Sequence, residues 1–200
     1  MCNKLFQGTL LAGWLCASAV ALNSLHGGTQ QIDWVVWLIW PAMILHQLEE
    51  NLLTELLAGK RYAFRHWAHG VGFDVTVPRC FVMNCLGAWP MAILAGLAGP
   101  KFALVPVFVV SLEVANAFLH VSATSLQERW SPGSLSSLLL TIPLGFAVVQ
   151  GTIETGRASP SLCFVAFLAG CLTHAMFLRL MPKSPHHPDA QRVNQASGGC

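Results

Sequence analysis

Charge is what this chain has least of: 11 Lys or Arg and 9 Asp or Glu among 200 residues, 10% in all, where a soluble domain carries about 25%. No segment outside the apolar runs is long enough to close a core of its own, so one membrane domain with a short polar tail is the economical reading. The Lys and Arg residues lie scattered in loops without interleaved aromatics, which removes the case for a nucleic-acid surface. The net charge of +2 says nothing about partners. There is no CxxC pair, and the cysteines number seven, an odd count. A disulfide framework and a zinc ribbon are therefore set aside, and the cysteines read as small buried hydrophobes.

What is present is apolar length, with 54% of residues hydrophobic. Six runs are long enough to cross a bilayer, near residues 5–23, 34–58, 78–98, 102–126, 134–153 and 160–181. The fold class is accordingly all-α, a polytopic transmembrane bundle over residues 1–182 followed by a disordered polar tail, 183–200, that holds His186 and His187. The first run also carries small residues that resemble a cleavage site, and it reads as a retained span. Pro78, Pro100, Pro132 and Pro160 mark span ends, while Pro41, Pro90, Pro106 and Pro143 lie inside spans and are expected to kink them. With both termini in the cytoplasm, nine Lys or Arg fall inside and only Lys101 and Arg157 outside. The loop 59–77, with Tyr62, Phe64, His66, Trp67 and His69, then becomes a basic, aromatic segment anchored at the cytoplasmic interface.

Against this background His46-Gln47-Leu48-Glu49-Glu50-Asn51 stands out, because a carboxylate at the centre of a span costs about 2.5–3.5 kcal/mol or more. His46, Glu49 and Glu50 lie 12, 9 and 8 residues in from Ala58, and Glu113, Asn116 and His120 lie 13, 10 and 6 in from Leu126. At a rise of about 1.5 Å per residue the two sets share one depth, between the bilayer middle and the cytoplasmic interface. Asn84 and His174, in two further spans, fall in the same slab. Spacings of i, i+3, i+4 and i, i+3, i+7 make each set one helical stripe. Polar stripes turn inward from lipid, so the second and fourth spans are expected to line a pocket, with Asn84 and His174 at its wall.

Three carboxylates enter this slab and no Lys or Arg does. Protonation would neutralise them, and so would a bound divalent cation, for which His and Glu are common donors. For a lone His or Asn, helix–helix hydrogen bonding is the plain alternative; it serves poorly for adjacent glutamates. Glu50 is free to turn partly away from Glu49, since neighbouring helical residues diverge by about 100°.

Trp40-Pro41 ahead of HQLEE, the run Glu113-Val-Ala-Asn116-Ala-Phe-Leu-His120, and Trp130-Ser-Pro-Gly133 leading to Pro143 resemble the HXXEE-domain family of small bacterial membrane proteins. The resemblance covers residues 37–148 and implies a multi-pass protein of the bacterial cytoplasmic membrane. It also implies His46, Glu49, Glu50, Glu113, Asn116 and His120 as the shared polar set, and it supplies no reaction.

The leading expectation is a membrane enzyme holding one or two divalent metals, iron, manganese or zinc, through His46, Glu49, Glu113 and His120, with Glu50 bridging or serving as acid/base. Glu50, Glu49 and His46 are the expected catalytic groups; Asn116, Asn84 and His174 are expected to contact substrate or support the ligands. Partners are the bilayer and an apolar, lipid-like molecule to be oxidised or hydrolysed, with a homo-oligomer left open. Two alternatives stand: a metal-free Glu/His isomerase or cyclase of an isoprenoid or sterol-like molecule, and a proton- or cation-coupled transporter.

Overall fold

The computed structural model describes residues 2–26, 31–59, 64–99, 101–127 and 130–183. Lys60, Arg61, Tyr62, Glu128, Arg129, Arg192 and the polar tail with His186 and His187 lie outside the described residues. The described chain is all-α, with seven helices. Helix α1 is Cys2–His26. Helix α2 covers 31–58, built from Gln31–Trp37, Ile39–Leu48, Glu49–Leu53 and Thr54–Ala58. There follow α3, Phe64–Gly70, α4, Val77–Ala98, α5, Leu104–Gln127, α6, Ser134–Glu154, and α7, Pro160–Leu180.

Five of these, α1, α4, α5, α6 and α7, are long and apolar enough to cross a membrane. The expected span at 34–58 is helical but is not one of the five, because its polar cluster lowers its hydropathy. That cluster is buried by protein: His46, Gln47, Glu49, Glu50 and Asn51 are all less than a tenth exposed. By contrast the outer faces of α1, α6 and α7 carry exposed Leu5, Leu15, Phe146, Phe164 and Leu172, as a lipid-facing bundle would.

The helices alternate in direction. Arg157, after α6, pairs with Asp33 at the start of α2, which joins one end of the bundle. At the other end Asp74, before α4, donates its backbone N–H to Pro182 O beyond α7 at 2.9 Å, and Gln7 of α1 donates to Asn51 O at 2.8 Å. The later halves of α2, α5 and α7 therefore share a level with the early halves of α4 and α6. Between apolar helices in lipid, close packing replaces the hydrophobic drive. Gly170 of α7 shows how close: a Cβ there would fall 1.7 Å from Ser111 Oγ of α5.

Two dry clusters frame the middle of the bundle. Val36, Ile39 and Met43 of α2 meet Ala92 and Ala95 of α4, Val107 and Val110 of α5 and Val148 of α6. Towards the other end, Phe6 and Leu10 of α1 meet Ile44 and Leu48 of α2, Ala68 of α3 and Cys80 of α4.

The prolines inside the helices are accommodated in three ways. Pro106 falls in the first turn of α5, where no N–H is needed. Pro90 and Pro143 each follow a widened π-type turn, Val82–Ala88 and Ser137–Thr141, that holds the carbonyl their rings would otherwise strike. Pro41 follows a break at Leu38, where α2 restarts. A third widened turn, Glu49–Leu53, lies in the polar cluster itself.

Candidate metal centre

The site is assembled where α6 begins. Ser131-Pro132-Gly133-Ser134 is buried, and Gly133, the cap residue, has φ 93°. A Cβ at Gly133 would lie 2.6 Å from His46 Cε1 and 3.2 Å from Glu50 Cγ, so only glycine satisfies both the backbone and the space. Glycine offers no capping side chain, and the open N–H groups of α6 are met by another helix. Glu49 Oε1 accepts from Leu135 N at 3.1 Å, and Oε2 accepts from Ser136 N at 2.7 Å and Ser136 Oγ at 2.6 Å. A carboxylate on a helix N-terminus is also favoured by the helix dipole.

Glu50 points elsewhere. Its Oε1 lies 3.4 Å from His46 Nε2, one turn back on α2, and 3.1 Å from His120 Nε2 on α5. The His46 and His120 rings meet edge to face, with centroids 5.0 Å apart. One donor atom from each of His46, Glu50 and His120 lies within 4.8 Å of the others, and all three residues are buried. Around a metal with bonds of about 2.0–2.1 Å, donors in a tetrahedral or octahedral shell stand about 3.0–3.4 Å apart. The two separations at Glu50, 3.4 and 3.1 Å, fall within that range.

The supporting hydrogen bonds assign roles to the His46 nitrogens, with Ser137 Oγ a longer contact of Nδ1 at 3.4 Å. Ser136 has one hydroxyl proton, and at 2.6 Å it goes to the Glu49 carboxylate. The Ser136 oxygen, 3.0 Å from His46 Nδ1, therefore accepts from Nδ1–H. In the neutral ring Nε2 then carries a lone pair, aimed at Glu50 and at Asn116 Nδ2, which donates to it at 3.1 Å. A ligating histidine ordinarily has this outer bond on its second nitrogen. His120 repeats the pattern, with Nδ1 2.9 Å from Ser131 Oγ. Thr124 and Ser134 hold that turn: Thr124 Oγ1 accepts from Ser131 N at 2.9 Å and meets Ser134 Oγ at 2.7 Å.

On one side the cluster is roofed by α3. Trp67 stacks on the His120 ring with centroids 5.3 Å apart and planes 27° apart, and Phe64 stacks on Trp67. On the other side His46 and Glu50 face a cavity of about 310 Å³, shared with Asn84, Glu113, Asn116 and His174. Among the described residues, no Lys or Arg lines it.

The HXXEE family model, described as a protein of unknown function with HXXEE motif, matches residues 37–148, more than half of the chain. The chain belongs to the HXXEE family. No curated protein and no solved structure matches it. The motif that names the family is His46-x-x-Glu49-Glu50.

In this HXXEE chain the motif residues divide their work. Glu49, expected among the ligands, instead caps α6 with both oxygens, and the one that turns away is Glu49 and not Glu50. Glu113 lines the cavity without joining the three-donor cluster, and Asn116 touches His46 directly. Asn84 and His174 are at the wall of the same cavity. The sequence assigns Ser131 and Gly133 only to the Trp130-Ser-Pro-Gly133 motif, gives no role to Ser136, and places Trp67 only as an interface anchor. The signal for the serines was their density: four in the seven residues 131–137, at the mouth of an apolar span where each hydroxyl needs a partner.

Proposed function

We propose that this HXXEE protein is a membrane-embedded, metal-dependent enzyme. A divalent ion held by His46, Glu50 and His120 acts there on an apolar molecule that occupies the cavity. The observation that carries this reading is the convergence of three buried donors: Glu50 Oε1 stands 3.4 Å from His46 Nε2 and 3.1 Å from His120 Nε2, with one donor atom of each residue within 4.8 Å of the others. Charge balance supports it. Once Glu49 is answered by α6, Glu50 and Glu113 are the carboxylates left, and one divalent ion matches them.

Two histidines and one carboxylate with open positions suit iron or manganese in oxidative chemistry, and the same donors serve zinc in hydrolysis. The open side faces the cavity, where Glu113 and Asn116 stand ready to accept a proton and to orient a substrate. Elemental analysis of purified full-length protein tests the reading. Near one equivalent of a single metal is expected in the wild type, and a small fraction of it in His46→Ala and Glu50→Gln. Wild-type protein with no metal, or substitutions without effect, would remove it.

A second reading has its own support, because 3.1 and 3.4 Å are also hydrogen-bond lengths. A proton shared by Glu50 and the histidines would make a metal-free acid/base centre. Metal-free protein that keeps its activity after chelation would establish it. Against transport stands the buried apolar cluster of Val36, Ile39, Met43, Ala92 and Val110 between α2, α4 and α5.

For topology, we place six crossings in a bacterial cytoplasmic membrane, both termini inside, with α2 as the sixth. The nine-to-two Lys/Arg bias supports the direction. It sets the metal centre towards the cytoplasmic half and lays α3 along that interface.

A further inference from the structure

Beside the cavity lies a second space. A surface groove of about 360 Å³ runs along α4 and α7, between Pro78 and Val82 on one side and Leu180 and Pro182 on the other, and Arg79, paired with Asp74, also lines it. Met83 and Phe177 line both this groove and the cavity, so the two spaces share one wall. Val82 is 55%, Phe177 40% and Leu180 75% exposed, on helices long and apolar enough to cross a membrane. A groove rimmed by such side chains faces lipid.

The inner end of this route is polar. His174 Nε2 is buried and has no hydrogen-bond partner. It shares the cavity with Asn84 and with the carboxylate of Glu113. A buried polar atom left unpaired costs about 1–3 kcal/mol, which a ligand offering a matching group recovers. With Glu113 in place and no Lys or Arg in the lining, the matching head group carries O–H or N–H; an anionic head meets a like charge.

We infer that α4 and α7 form a lateral portal, gated by Met83 and Phe177, through which a single-chain amphiphile with an uncharged or cationic hydrogen-bond-donating head leaves the bilayer. Its head lies among Asn84, Glu113 and His174, and its chain trails along the groove. The inference deepens the enzyme reading above, whose substrate it describes; the binding step itself needs no metal.

The test uses full-length protein in phosphatidylcholine vesicles and two photoreactive probes, a long-chain alcohol and the matching carboxylate, each with a diazirine in the chain. Peptide mapping after irradiation is expected to place the alcohol on segments carrying Met83, Glu113 and Phe177, at least about tenfold above the carboxylate. Met83→Trp and Phe177→Trp fill the portal and are expected to abolish that labelling. Leu162→Trp, on the exposed face at the far end of α7, keeps it. Labelling confined to outer faces, equal labelling by both probes, or unchanged labelling in the two portal tryptophan variants would overturn the inference. Metal content, measured on the same samples, judges the metal reading separately: cavity labelling in metal-free protein would keep the portal and remove the metal, and the reverse result would do the opposite.

Discussion

Glu49 and Ser136 are joined twice across the interface of α2 and α6, through the serine N–H at 2.7 Å and its hydroxyl at 2.6 Å. This double contact fixes the start of α6, and it spends the serine proton so that the oxygen is left to accept from His46. Through one residue, a capping carboxylate thus sets the tautomer of a neighbouring histidine. It also reduces the unanswered carboxylates at this depth from three to two, which a single divalent ion balances.

Glu49→Ala should cost stability more than metal. It leaves the N–H groups of Leu135 and Ser136 and a serine hydroxyl without their acceptor, at about 1–3 kcal/mol for each buried group left unpaired. Thermal unfolding in detergent should show a clear drop in Tm, with metal affinity in the folded fraction lowered by no more than the loss of an outer partner of His46 brings, about 10–100-fold. Unchanged Tm with complete metal loss would make Glu49 a ligand instead.

Gly133→Ala and Gly156→Ala form a matched pair. Both glycines have positive φ, 93° and 67°, but an added Cβ meets nothing within 4 Å at Gly156 and meets His46 Cε1 at 2.6 Å at Gly133. Backbone strain of about 1–2 kcal/mol is common to both; overpacking adds about 1–3 kcal/mol at Gly133 alone. Gly133→Ala should also displace the His46 ring and weaken metal binding, which titration reads. Equal effects of the two substitutions would contradict the close contact.

Ser136→Ala and Ser131→Ala remove the outer partners of His46 and His120 without touching the donors. Loss of such a partner lowers metal affinity by about 10–100-fold. Competition with a chromogenic chelator should show that range for each variant, with α-helical circular dichroism unchanged. Affinity equal to the wild type would mean that the serines only pack.

Depth and helical period made much of this arrangement legible in the sequence. His46, Glu50, Asn116 and His120 carry a cost in lipid that has to be answered at one level, and intramembrane polar groups face inward. The division of labour between Glu49 and Glu50 was not legible, because two adjacent carboxylates look alike until the neighbour of each is known. That neighbour, the N-terminus of α6, is about 86 residues further along the chain, and its need for an acceptor comes from a glycine cap with no side chain. Trp67 was hidden for a similar reason: an aromatic residue in a basic loop fits membrane anchoring equally well, and only the fold lays its ring on His120.

The central claim, a metal held by His46, Glu50 and His120, is tested most directly by X-ray absorption at the edge of whatever metal copurifies with the full-length protein. The account predicts a first shell of two imidazole nitrogens and carboxylate or water oxygens, at about 2.0–2.2 Å if the ion is zinc, with one imidazole lost in His120→Ala. A shell of sulfur, a fully hydrated ion, or a spectrum unchanged by His120→Ala would contradict it.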